Sequence, residues 1–275
     1  MAVTSVRSIR VFALFVLTPL VVAACGGGSS PTAPAVSTTG ITISGTTDML
    51  RVQENVTFAA VASRSDGSTQ AITDWASDAP TVLTINASTG VATGLAAGNA
   101  TITARHGGLT STRLVRVVPH YQGTWTGRYL VSECSSSGDF SVIGWCSTLL
   151  GQNLPFGLVL SQTRDTVSGT VTFGEYTGSV SGSMTVGGAL TLAGVAVSGS
   201  ASISILSWNT NSATFGTMTG SFGQRVTSTA ANGSVTQTGQ ILSASRSPGS
   251  TATVPRSRTV GPDTVQTMLE RIVGR

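Results

Sequence analysis

The spacing of apolar residues changes in blocks along the chain. From Val11 to Ala24 the run is almost uninterrupted, broken by Thr18 and Pro19, and preceded by the positive charges of Arg7 and Arg10. Such a run is shorter than the ~20 residues a membrane-spanning helix needs, and it predicts the apolar core of an export signal over residues 1–24. Residues 25–39 are rich in Gly, Ser and Pro, which predicts a flexible linker. Beyond it the period falls to two. Alternation in "NVTFAAVA" (55–62), "VLTIN" (82–86) and "NATITAR" (99–105), punctuated by "SDGS" and "NASTG", predicts short strands of a β-sandwich over 40–119, with Trp75 filling the space between the sheets. The last stretch, 248–275, opens as a linker and ends with Val265, Met268, Leu269 and Ile272 at helical spacing after Asp263, predicting a short helix.

Residues 120–247 read as about eight successive strands, among them "TVSGTVTFG", "YTGSVSGSMTV", "ALTLAGVAVSG" and "ASISILSWN". Alternation is plain in Val167, Gly169, Val171 and Phe173, and again in Val180, Gly182, Met184 and Val186. A meander of this kind closes as a barrel or stacks as a sandwich. Glycine at matching points of successive strands allows tight coiling, and closure removes edges that a chain with few charges is ill equipped to guard. The expected fold class is therefore all-β, a sandwich followed by an eight-stranded antiparallel β-barrel.

Three stretches carry family resemblances. Val22-Ala23-Ala24-Cys25 resembles a bacterial lipobox, which implies acylation of Cys25 and a membrane partner reached through lipid; an ordinary secretory signal is the alternative. Gly26 after the cysteine leans the location toward the outer membrane or cell surface. "ITDWASDAPTVLTINASTGVATGLAAGNATITA" (72–104) resembles the bacterial Ig-like domain, group 2, through the W-x-S at Trp75–Ser77, the "TVLTIN" strand, Gly90-Val91 and "GLAAGNATITA". That resemblance implies a stalk, spacer or adhesive module and transfers no catalytic residue. Gln53 departs from the family, which usually has glycine there ahead of the acid, here Glu54. "GTWTG" (123–127) is similar to the Gly-x-Trp opening of lipocalin and avidin-like barrels, and implies that Trp125 plugs one barrel end while the other admits a ligand.

Composition narrows the chemistry. The net charge of +4 comes without a single lysine, and its excess lies in the leader and the tail; between Cys25 and Ser247 nine arginines face nine carboxylates. No basic face for phosphate follows, and nucleic acid is excluded as a partner. With Cys25 assigned to lipid, Cys134 and Cys146 remain as an even pair in an exported chain, which predicts a disulfide.

No cofactor or metal site is expected. Asp66, Asp74 and Asp78 are the acidic cluster of the first segment; they could meet a calcium ion, but turn aspartates are the better explanation. His106 and His120 stand apart from any nucleophile motif, and Glu133, Asp139, Asp165 and Glu175 offer no evident pair, so no enzyme is expected. The stretch 134–153, "CSSSGDFSVIGWCSTLLGQN", is expected to be a long loop pinned by the disulfide, either a plug on the barrel or a lid over it. Candidate ligand-contacting side chains are Trp125, Phe140, Trp145, Phe173, Trp208 and Phe215. Two functions follow: a lipid-anchored envelope protein whose barrel binds a small apolar ligand or glycan, or a structural or adhesive surface protein with a solid barrel that meets a cell-surface glycan or protein.

Overall fold

The structure is a computed structural model and describes residues 35–212 and 216–247. The leader, Cys25, most of the linker, Phe215 and the tail helix lie outside the described residues.

The sandwich is built from ten strands: β1 (Thr38–Ser44), β2 (Met49–Arg51), β3 (Asn55–Thr57), β4 (Ala59–Arg64), β5 (Thr69–Ala71), β6 (Trp75–Ser77), β7 (Leu83–Ile85), β8 (Val91–Gly94), β9 (Gly98–His106) and β10 (Leu109–Val118). They form three sheets, ordered β1-β4-β5, β2-β10-β9-β6 and β3-β8-β7. One core, including Leu50, Phe58, Trp75, Leu83, Ile102 and Val115, lies among them. β1 opens at Thr38, inside the expected linker. The stretch "NVTFAAVA" is two strands in different sheets, because the chain turns inward at buried Phe58, whose N–H bonds to the Gly90 carbonyl. Gly90 has φ 69°, and a β-carbon there would lie 2.3 Å from the Phe58 carbonyl oxygen, against the Trp75 ring. Only glycine allows Trp75 its place.

The barrel strands are β11 (Gly123–Ser136), β12 (Asn153–Thr163), β13 (Thr166–Phe173), β14 (Tyr176–Met184), β15 (Leu190–Ser198), β16 (Ala201–Asn211), β17 (Thr217–Ser228) and β18 (Ala231–Ser247). Each pairs antiparallel with the next and β18 returns to β11, closing the barrel. Period two sets the faces. Val167, Val171 and Phe173 are buried while Ser168 and Thr170 are exposed; on β14, Val180 and Met184 are buried while Ser179, Ser181 and Ser183 are exposed. Val186 breaks the expected alternation: β14 ends at Met184, and Val186 sits exposed in the following turn. β-Carbons at Gly169, Gly178, Gly182 and Gly239 would each lie 1.8 Å from a carbonyl oxygen of the neighbouring strand. These glycines let the sheet coil tightly enough to close.

The expected long loop after β11 is corrected. β11 continues to Ser136, and the connection folds as two short helices, α1 (Asp139–Val142) and α2 (Trp145–Leu149).

Sandwich and barrel belong to one compact unit, joined through residues 119–122. Gln162 of β12 clasps this joint. Its Oε1 accepts from the Tyr121 N–H at 2.7 Å and the Gln122 N–H at 3.3 Å, and its Nε2 donates to the carbonyls of Pro119 and Arg164 at 3.0 Å each. Arg116 adds an ion pair to Asp165 at 2.9 Å and a bond to the Met184 carbonyl; Arg51 donates to the Gln162 carbonyl. A buried glutamine with both amide ends paired across the joint favours one arrangement of the two modules.

Candidate functional site

The barrel has two ends, closed differently. At the sandwich end, Trp125 donates through Nε1 to the Tyr121 carbonyl at 2.7 Å, and the Tyr121 hydroxyl reaches the Gly188 carbonyl at 3.0 Å. Burial pushes the Tyr121 phenol up to about 12. At the other end α1 and α2 form a cap. Phe140, Trp145 and Leu149 turn inward, with the Phe140 and Trp145 rings edge to face at 5.3 Å. Helices this short cannot stand alone, and the cap is held by covalent and polar ties. Cys134 and Cys146 form the expected disulfide, with Cα atoms 5.4 Å apart. Closing a loop of that separation stabilises the fold by about 3 kcal/mol. Asp139 accepts from the Asn232 N–H at 2.8 Å, and Ser137 and Ser234 exchange backbone and side-chain bonds.

Between the ends the interior is filled by aromatic rings. Tyr129 contacts Phe156, Phe173 and Phe222 at centroid distances of 6.4, 5.8 and 4.6 Å, and Phe156 meets Trp208 at 5.2 Å. The expected ligand-contacting residues are thus spread along the barrel. Trp125 sits at the sandwich end, Phe173 and Trp208 in the central aromatic layer, and Phe140 and Trp145 in the cap. Of these, Phe140 and Trp145 are in direct ring contact.

Just beneath the cap the interior turns polar. Gln224 of β17 and Gln237 of β18 stand directly opposite each other, and both are buried. Gln224 Nε2 donates to the Tyr129 hydroxyl at 3.3 Å, while its Oε1 and that of Gln237 have no hydrogen-bond partner. Two buried donors, Tyr176 OH and Trp145 Nε1, are unpartnered as well. The connectivity places all four at the capped end. Cys146 follows Trp145 and is bonded to Cys134, which lies opposite Gln237; Tyr176 opens β14 at the β13–β14 hairpin, on the same side of the barrel as the β11–β12 connection that carries the cap. Burial raises the phenols of Tyr129, to about 12, and of Tyr176, so both stay protonated. Each buried polar group left unpaired costs about 1–3 kcal/mol, which makes this the most costly part of the core. The buried polar residues Thr124, Gln162, Thr210, Gln224 and Gln237 are all uncharged.

The two glutamines escape sequence reading because Gln passes for a solvent-facing residue on a strand. Their signal is parity: Gln224 lies between inward Phe222 and Val226, and Gln237 follows inward Val235.

The acids are engaged separately. Glu133 accepts from the Thr238 hydroxyl, and Asp165 holds Arg116. Asp66 and Asp78 serve turns and strand ends, accepting from Ser68 and from the Thr101 N–H, and these bonds hold both carboxyls below the usual range. Among the described residues no group of three or more His, Cys, Asp or Glu side chains is placed to hold a metal ion. Burial, with Arg246 nearby, lowers the His120 imidazole. On the sandwich, an open depression of about 430 Å³ is lined by Asp74 and the β9–β10 hairpin.

No family model and no curated protein matches the chain. Among solved structures it is similar to "surface layer protein SbsC, domains 4-9", at 13% identity and TM-score 0.29, over 74% of this chain and 31% of that one. The chain thus spans about a third of that structure's length, and a likeness at this level carries no functional argument.

Proposed function

We propose that this is a non-catalytic bacterial cell-envelope lipoprotein, anchored at the outer membrane or cell surface through acylated Cys25, in which an Ig-like sandwich of the group 2 type carries a barrel with a solid centre as a structural or adhesive module. The observation that supports it best is the aromatic layer of Tyr129, Phe156, Phe173, Trp208 and Phe222, which occupies the space a small apolar ligand would need. The joint at Gln162 supports the same reading, since a display module gains from a stalk that does not flex. Contact with a cell-surface glycan or protein falls to the outside of the barrel. The test uses the chain in its own host. Mass spectrometry of the mature protein should report acyl groups on Cys25, and Cys25→Ser should leave an unprocessed chain that carries no acyl group and partitions differently in detergent. Unchanged processing and partitioning in that variant would remove the anchor, and with it the reading.

A further inference from the structure

We propose that the capped end of the barrel is a binding site for a small uncharged molecule bearing a primary carboxamide, held between Gln224, Gln237, Tyr176 and Trp145. The proposal goes beyond the display reading and does not depend on lipidation.

The donor set argues for that group. Gln224 and Gln237 face each other across neighbouring strands, and each presents a buried carbonyl oxygen with no donor. Two acceptors side by side suit an –NH2 group, which has two hydrogens to give. Tyr176 OH and Trp145 Nε1 are buried donors with no acceptor; they suit a carbonyl oxygen, which has two lone pairs to offer. A primary carboxamide carries both halves. Exchanging the two ends of the Gln224 amide would turn its free acceptor into a free donor, which the carbonyl half of the same carboxamide accepts. A charged ligand is disfavoured because none of the buried polar side chains of the barrel is ionised. Entry of a ligand requires the cap to part from β18, against the Asp139–Asn232 and Ser137–Ser234 bonds. The cap is closed by helices and not by strand pairing; Gly138 and Gly144, at φ 60° and 65°, precede its two helices, while Cys134–Cys146 keeps it tethered.

The experiment is a titration of the full chain, labelled with ¹⁵N at its indoles, with acetamide. The Trp145 resonance is assigned by its loss in Trp145→Phe. N,N-dimethylacetamide, which keeps the carbonyl and lacks N–H, and acetate, which is charged, serve as comparison probes. A saturable shift of the Trp145 indole with acetamide is expected, at least tenfold weaker for both comparison probes. Tyr176→Phe should weaken acetamide at least tenfold, and Gln224→Leu/Gln237→Leu should abolish the saturable shift while the protein stays folded. No saturable shift with acetamide, leaving bound water only, overturns the proposal. So does an equal response to dimethylacetamide, a response that survives in the double variant, or unfolding of that variant, which would give the glutamines a purely structural role.

Discussion

The two ends of the barrel are furnished with the same residue types and treat them in opposite ways. At the sandwich end stand Gln162, Trp125 and Tyr121, and the amide, indole and phenol are all bonded. At the capped end stand Gln224, Trp145 and Tyr176, and each has a buried polar atom without a partner. Composition is matched and burial is matched, so the difference lies in what each end is for. At the joint the glutamine, indole and phenol find their partners within the protein; the same three residue types at the capped end are left incomplete by the protein's own atoms.

The contrast is broken most directly by the same substitution at both ends. Gln162→Leu strips partners from the Tyr121 N–H and the Pro119 carbonyl, and should cost about 3–4 kcal/mol in denaturant unfolding. Gln224→Leu removes an unpaired oxygen at the loss of one bond and should stay within about 1 kcal/mol of the parent; equal losses would erase the distinction. Next in size, Cys134→Ser/Cys146→Ser should cost about 3 kcal/mol, and faster hydrogen exchange should be confined to α1, α2 and the ends of β11 and β18 that hold them. Gln53→Gly works on the sandwich side. Gln53 has φ 69°, where a side chain is strained, in the turn closed by Glu54 bonding to Arg51; glycine should raise stability by about 1 kcal/mol. The smallest effect is that of pH on His120. Its folded pKa lies below the unfolded 6.5, chiefly from burial, so its contribution is present above that pH and is lost as pH falls through the folded value. His120→Gln should flatten the stability profile below pH 6.5, with the melting temperature as readout.

Much of this architecture was readable from the chain. Barrel strands alternate strictly enough that Val167 to Phe173 and Val180 to Met184 declare their faces, and the glycines among them mark where the sheet coils. The paired cysteines were readable for a chemical reason, an even number left over in a chain whose leader reads as an export signal. Helices α1 and α2 were not, because four and five residues are too few to establish a helical period. The break at Phe58 was hidden for a related reason: alternation continues through a residue at which the chain changes sheets. The described aromatic candidates, Trp125, Phe140, Trp145, Phe173 and Trp208, are buried, but parity gives direction and not volume. It distinguishes no hollow barrel from a filled one, and it ranks Trp208 alike in both. Site chemistry was legible only in the glutamines, to a reader who extends the period of two through polar letters.

The outward face of β13 and β14 pairs hydroxyl with hydroxyl, Thr166 with Ser183, Ser168 with Ser181, Thr170 with Ser179 and Thr172 with Thr177. A coat of that kind holds water by hydrogen bonding rather than by ionic repulsion, and dissolved electrolyte screens only the latter. That face of the barrel is therefore suited to stay hydrated in fresh water and in brine alike.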